Sequence, residues 1–267
     1  MVFAEEAGAQ FANGTFYEQA GSEFYASEEK LAGDYSPVRY RREINFLRKH
    51  CSQGRVLDVG CSTGGFLYYL QKSFPHDYAI CGNDVATCAL EYAASQGVPV
   101  LRQAFALINT PEPFDAICFW AVLEHLAHPS QFLKKAHGLL SEGGHCFVLV
   151  PNIASLATRI LGPKYRYILP QHLNYFSIRT LGRLAADCGF RVERATTMHF
   201  NPAVILQDLR SSNGMVADAE RARLLVKTNR LKANPRLTPL RWCYAACEAV
   251  LGRTGLADNI AMVLIKK

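Results

Sequence analysis

The chain predicts an α/β fold, a mostly parallel sheet covered by helices, and three observations carry that prediction. Apolar runs alternate with amphipathic ones from Arg55 to Val150, the pattern of parallel strands joined by helical crossovers. A turn of small residues, Asp58-Val59-Gly60-Cys61-Ser62-Thr63-Gly64-Gly65, stands where the first apolar run passes into an amphipathic segment. An acid, Asp84, closes the next apolar run.

Candidate strands are Arg55 to Gly60, Tyr78 to Asp84, a shorter Pro99 to Phe105, Phe114 to Trp120, His145 to Val150, Phe190 to Thr197 and Asn259 to Ile265. The helices between them read as Gly65 to Phe74, Ala86 to Gln96 and Pro129 to Leu140. The last gathers Phe132, Leu133, Ala136, Leu139 and Leu140 on one face, admits Pro129 in its first turn, and is expected to end at Gly143-Gly144. Ser177 is placed to cap a helix with Leu181, Leu184, Ala185 and Cys188 inward, stopped by Gly189. Ahead of the sheet, Ser36-Pro37 opens a helix with Tyr40, Ile44, Leu47 and Cys51 on one side. The expected organisation is an N-terminal helical cap over 1–50, a core over 51–202, a basic helical insertion over 203–256 and a closing strand over 257–267.

The chain has 267 residues, 49% hydrophobic and 19% charged, the balance of a globular protein with a sizeable core. Its longest apolar run, Ala116 to Leu123, falls far short of the ~20 residues that cross a bilayer. Glu5 and Glu6 stand where a secretion signal needs positive charge, so a cytoplasmic protein without a membrane span is expected. Among nine cysteines, Cys81, Cys118 and Cys146 lie in apolar segments and read as buried thiols, while Cys243 and Cys247 continue an apolar helical stripe through Leu240, Tyr244 and Leu251. No clustered set of metal ligands is visible in the spacing, and no metal is expected. Of the formal charge of +6, the segment 203–256 carries +5, from nine bases against four acids. That charge belongs to an added element.

The small-residue turn lets a ligand approach backbone at the carboxyl end of a parallel strand, where open α/β sheets bind nucleosides. Asp84 follows Gly60 by 24 residues, at the end of the next strand, where a carboxylate can accept from both ribose hydroxyls. Nicotinamide dinucleotide and S-adenosylmethionine both fit a ribose-reading acid. Ser62 stands where GxGxxG has its middle glycine, against a pyrophosphate. Asp58 would add negative charge there, whereas S-adenosylmethionine brings an ammonium and a sulfonium.

Asp58-Val59-Gly60-Cys61-Ser62-Thr63-Gly64 resembles the first motif of class I S-adenosylmethionine-dependent methyltransferases, with Ser62 in place of the usual second glycine. The resemblance continues through Phe114-Asp115-Ala116-Ile117, Val122-Leu123-Glu124-His125-Leu126 with Pro129, and Leu139-Leu140-Ser141-Glu142-Gly143-Gly144 to Val150-Pro151-Asn152. It covers about Tyr35 to Thr197 plus the closing strand. His172-Leu173-Asn174-Tyr175-Phe176-Ser177 and Cys188-Gly189-Phe190 look like the subgroup that contains ubiquinone-biosynthesis O-methyltransferases and enzymes of small metabolites. The resemblance implies a Rossmann-like sheet of seven mostly parallel strands, and S-adenosyl-L-methionine as cofactor. It implies that Gly60, Ser62 and Gly64 lie along the methionine part, Asp84 holds the ribose, Val85 flanks adenine, and Ala104 and Phe105 face the adenine edge. Trp120 would border the methionine moiety or belong to the core, and Asp58 either fixes the glycine loop or touches the ligand.

For the chemistry, His172 is the first candidate base, in a loop of aromatic and basic residues from Lys164 to Phe176, and His125 the second. A helix-terminus hydrogen bond is the plainer role for His125. The expected reaction is O-methylation of a small hydroxylated metabolite, a sugar or a quinone-like precursor. Two alternatives stand beside it: an RNA methyltransferase using the basic insertion, and a non-catalytic binding protein that retains the fold. A small-molecule acceptor is the expected partner. Nucleic acid is a weaker expectation, since the bases of the insertion do not interleave with aromatics, and that insertion also suits a substrate cap or a homodimer contact.

Overall fold

A computed structural model describes residues 2–3, 16–17, 25, 27–165, 167–210, 224, 228 and 238–266. In chain order the strands are β1 (Val2–Phe3), β2 (Gly54–Val59), β3 (Tyr78–Asn83), β4 (Val100–Leu101), β5 (Phe114–Trp120), β6 (Leu140–Pro151), β7 (Asn174–Tyr175), β8 (Phe190–Met198) and β9 (Asn259–Lys266). The α-helices are α1 (Glu28–Asp34), α2 (Arg41–Arg48), α3 (Gly65–Ser73), α4 (Thr87–Ser95), α5 (Pro129–Leu139), α6 (Leu156–Leu161), α7 (Ile178–Asp187), α8 (Pro202–Arg210) and α9 (Thr238–Thr254).

Seven strands form one sheet in the order β4-β3-β2-β5-β6-β9-β8. The pairings from β4 through to β6 are parallel, and β9 runs antiparallel to both its neighbours. This is the class I methyltransferase architecture. Strands covered on both faces must be apolar on both, and β5 shows it. Ile117 and Phe119 join Leu57, Val148 and α5 on one side, while Ala116 and Cys118 join Val56, Phe147 and α2 on the other. β9, in the middle of the antiparallel end, buries Ile260 to Leu264 completely. The remaining pair, β1 with β7, brings the start of the chain to the loop after β6.

Most expected elements stand within a residue or two of their predicted ends. Ser177 caps α7 in a reciprocal capping box with Thr180. Four details differ. The strand expected over Pro99 to Phe105 is paired only at Val100 and Leu101, and Phe105 instead opens a 3-10 turn, Phe105–Leu107. α5 ends at Leu139, ahead of Gly143-Gly144, because Leu140 is already extended, buried and paired with Phe114. Ser36-Pro37 opens no helix. The carbonyls of Gly33 and Leu31 close α1, turns fill 36–40, and α2 starts at Arg41. Cys247, expected in the core, is exposed, since α9 turns Glu248 inward to an ion pair with Arg42 of α2. The side chain of Cys243, the bases from Arg221 to Arg236, and the middle of the expected insertion, 211–237 apart from 224 and 228, lie outside the described residues. Among the described residues no helix is long and apolar enough to cross a membrane.

Candidate active site

The carboxyl ends of β2 and β3 build the first half of the site. The N–H groups of Gly60 and Cys61 both donate to the Asn83 carbonyl, at 2.7 and 3.0 Å, locking the turn to the neighbouring strand. The turn needs left-handed backbone at three alternate positions, Gly60 (φ 75°), Ser62 (φ 50°) and Gly64 (φ 82°). A Cβ on Gly60 would come 2.5 Å from a methyl of Val122, so only glycine lets the turn after β5 approach this closely. Ser62 takes the same left-handed backbone that its glycine counterpart would adopt, at a cost of roughly 1–2 kcal/mol.

Asp84 is the hub of this half. The Ser62 N–H donates to Oδ2 at 2.8 Å and the Ala86 N–H to Oδ1 at 2.9 Å, so one carboxylate fixes both the turn and the start of α4. Burial raises its pKa, and the N–H groups of Ala86, Ser62 and Val85 pull it back. Each oxygen keeps a second lone pair for a ligand hydroxyl. Asp58 is buried beneath the turn, pushed well up by burial first and by Asp84 second. Asp58 Oδ1, Ser62 Oγ and Trp120 Nε1 are buried with no hydrogen-bond partner among the described residues. Val85 is 48% exposed despite its size, and Ala104 is exposed. Phe105 is buried instead, stacked on Phe132 at 5.4 Å and edge-on to Phe119 at 5.8 Å, so its ring serves the core and its backbone alone is at the loop. Trp120 is half-buried, its ring 5.3 Å from that of Phe66.

Several residues at this half escape the sequence reading. The Asn83 amide donates to the carbonyls of Leu101 and Gln103 at 2.9 and 2.8 Å, setting the loop that carries Ala104. Asp34, ion-paired with Lys30 at 3.2 Å, accepts from the Thr63 hydroxyl at 3.3 Å. The Tyr35 hydroxyl donates to the Thr63 carbonyl. Tyr25 is buried close enough to Asp84 for that charge, after burial itself, to raise its phenol pKa. These contacts join the N-terminal segment to the turn, and no local motif announces them.

The second half grows from the turn after β5 and the loop before β7. Val122, which Gly60 admits, leads into a single 3-10 turn, Leu123–His125. The Asn174 amide donates to the carbonyls of Leu123 and Leu126 at 3.3 and 2.6 Å, clamping that turn to β7. His125 and His172, the two predicted bases, are thereby brought together, ring centroids 4.6 Å apart. His172 is buried, and its Nδ1 lies 2.7 Å from the Tyr167 carbonyl, which accepts only. Nδ1 therefore carries a hydrogen, which leaves Nε2 as the ring's only nitrogen able to take up a proton. His125 Nδ1 lies 2.7 Å from the Tyr17 hydroxyl and 3.1 Å from the Gln171 carbonyl. Burial lowers its pKa to about 4, opposed by the Gln171 hydrogen bond. Glu124 is buried, with Oε2 lacking a partner among the described residues, and burial pushes its pKa up to about 8. Glu124, His125 and His172 each offer a ligand atom within 4.8 Å of the others, a set with the chemistry to hold a divalent cation. Spacing could not show such a set, because His172 comes from a different loop from Glu124 and His125.

The family model described as a methyltransferase domain matches residues 33–195, and the chain belongs to that family. It is similar to a ubiquinone biosynthesis O-methyltransferase of Xylella fastidiosa, 28% identical over 62% of this chain and 72% of the relative. The protein of that name from Pseudomonas syringae pv. tomato is also 28% identical, over 66% of this chain and 80% of its own length. The fold matches the solved structure of a SAM-dependent methyltransferase of Thermotoga maritima, described as a possible histamine N-methyltransferase. The TM-score is 0.59 at 16% identity, over 95% of this chain and 99% of that one. The protein is an S-adenosylmethionine-dependent methyltransferase, with S-adenosyl-L-methionine as its cofactor. The small-residue cradle at Gly60 and the buried atoms Asp58 Oδ1, Ser62 Oγ and Trp120 Nε1 fit a ligand that brings an ammonium, a carboxylate and hydroxyls.

Proposed function

We propose that the chain methylates a hydroxyl oxygen of a small metabolite, a sugar or a quinone-like precursor. The observation that carries this reading is the pairing of His172 with His125 beside the turn that touches Gly60. The curated relatives named for O-methylation support oxygen as the target atom.

In this reading Gly60, Ser62 and Gly64 line the methionine part of the cofactor, Asp58 braces the turn beneath it, and Trp120 borders it. Asp84 takes the ribose hydroxyls, the exposed side chain of Val85 covers one adenine face, and Ala104 with the backbone of Phe105 meets the adenine edge. The bound cofactor supplies an activated methyl group on a sulfonium. What the chain adds is orientation, able to contribute up to ~7 to 11 kcal/mol, and removal of a proton from the acceptor hydroxyl.

His172 takes that proton at Nε2, while the Tyr167 carbonyl holds Nδ1–H and raises the basicity of the ring. General-base help of this kind is worth about 10² to 10⁴-fold. His125, neutral and a weak base at its lowered pKa, orients its neighbour, and Glu124, protonated at neutral pH, donates to an acceptor oxygen. Incubation with S-adenosylmethionine carrying a labelled methyl and a panel of catechols and sugars tests the assignment. Label is expected as a methyl ether on the acceptor. Label on nitrogen or carbon, or only on added RNA, would remove the O-methylation reading.

A further inference from the structure

A second imidazole–carboxylate cluster lies away from the methyl-donor site. His145 is on β6, four residues before Leu149, the partner of Trp120, or about 13 Å back along the strand. His50 follows the end of α2. Glu193 sits at a register shift in β8, between Val192, opposite Leu264, and Arg194, opposite Val263. Such a bulge sets two consecutive residues against one partner and re-aims a side chain. Val263 belongs to the face that packs on Phe147 and α2, and it is toward this face, shared with His145, that Glu193 turns.

Both carboxylate oxygens meet imidazoles, Oε1 at 3.5 Å from His50 Nδ1 and Oε2 at 3.0 Å from His145 Nε2. This happens although Arg191 and Arg194 flank Glu193 on the edge strand. The rings are held by aromatic neighbours: His50 lies 5.9 Å from Phe46 and 6.3 Å from Phe147, and His145 lies 6.1 Å from Phe147. The ligand atoms all lie within 4.8 Å of one another. Tetrahedral zinc, with bonds of about 2.0 to 2.2 Å, draws its ligand atoms to about 3.4 Å apart. The two Glu193 oxygens already stand near that separation from their imidazoles, so binding asks the two imidazoles, ring centroids 6.1 Å apart, to turn their nitrogens toward one another.

We propose that His50, His145 and Glu193 form a zinc site, completed by water from the open side, that staples α2 to the antiparallel end of the sheet. Two imidazoles and one carboxylate from three separate elements match the donor set zinc prefers when one position stays open.

The test titrates Zn²⁺ alone by calorimetry into the chelator-treated full chain and into His145→Gln, Glu193→Gln and His172→Gln, the last removing a ligand from the other cluster. Saturable binding is expected to survive His172→Gln and to weaken at least tenfold in His145→Gln and Glu193→Gln, with a Zn²⁺-dependent rise in Tm that those two lack. Far-UV circular dichroism reports folding, and Glu193→Gln, a change at an exposed position, carries the test if His145→Gln fails to fold. Absence of Zn²⁺ binding by the wild type overturns the proposal. So does binding that is unchanged in both His145→Gln and Glu193→Gln, or that is lost only in His172→Gln.

Discussion

The donor turn from Asp58 to Gly65 and the cluster of Glu124, His125 and His172 stand at the same end of the sheet, yet they hold their polar atoms in opposite ways. In the turn, backbone N–H groups of Ser62 and Ala86 converge on one carboxylate, that of Asp84 at the end of the neighbouring strand. In the cluster, imidazole nitrogens meet backbone carbonyls, His172 that of Tyr167 in its own loop and His125 that of Gln171 in the same loop, and Glu124 keeps a buried oxygen without a partner among the described residues. The first arrangement is a preformed cradle. The second is a set of proton-carrying groups in a dry setting, where burial, against opposing hydrogen bonds, moves a glutamate up to about 8 and a histidine down to about 4.

If the two halves have these separate duties, variants should separate them too. The largest effect is expected from His172→Gln, which should lower kcat by about 10² to 10⁴-fold and leave the affinity for S-adenosylmethionine within about twofold. A matching loss of cofactor affinity would merge the halves and break the comparison.

The next effect is on stability against pH. Glu124 has its folded pKa above its unfolded one, so its contribution is complete below the unfolded pKa and is lost as pH rises toward about 8. His125 works in the other direction, its contribution present above its ordinary range near 6.5 and lost as pH falls toward about 4. Between about pH 6.5 and 8 the glutamate alone should act, costing up to ~2 kcal/mol at 1.36 kcal/mol per unit. Denaturant melts across that window should show the decline in the wild type and a flat profile in Glu124→Gln. A decline that persists in Glu124→Gln would mean that another group titrates.

The smallest effect belongs to the turn. Ser62→Gly relieves left-handed backbone in a β-carbon-bearing residue, offset by the greater freedom of glycine when unfolded, for a gain of about 0.5 to 1 kcal/mol. Chemical denaturation with and without S-adenosylmethionine measures it. A loss of stability would show that the serine hydroxyl, and not the backbone, matters there.

The same contrast explains what could be read in advance. The turn and Asp84 were legible because their residues are contiguous or lie at the ends of consecutive strands, where the order of the sheet places them side by side. β5 and β9 were legible because a buried central strand is apolar on both faces. The juxtaposition of His125 with His172 was not, since 47 residues separate them and their loops are joined by the Asn174 amide and the Gln171 carbonyl, contacts that no spacing announces. Asp34 and Tyr35 fall within the expected cap without a role in the site, because a hydroxyl and a carbonyl meeting across a helix end leave no spacing to recognise. Cys247 misled because a helical stripe shows which positions align but not that Glu248 would turn inward to meet Arg42.

The central claim is that one carboxylate at the end of β3 holds the methyl donor, and calorimetric titration of S-adenosylmethionine into the wild type and Asp84→Ala tests it most directly. The wild type should bind at one saturable site. The variant, deprived of two hydrogen bonds to a charged group worth on the order of 1.5 to 3 kcal/mol each, should bind roughly a hundredfold more weakly or worse. Equal affinities in the two proteins, or no binding by the wild type, would contradict the account.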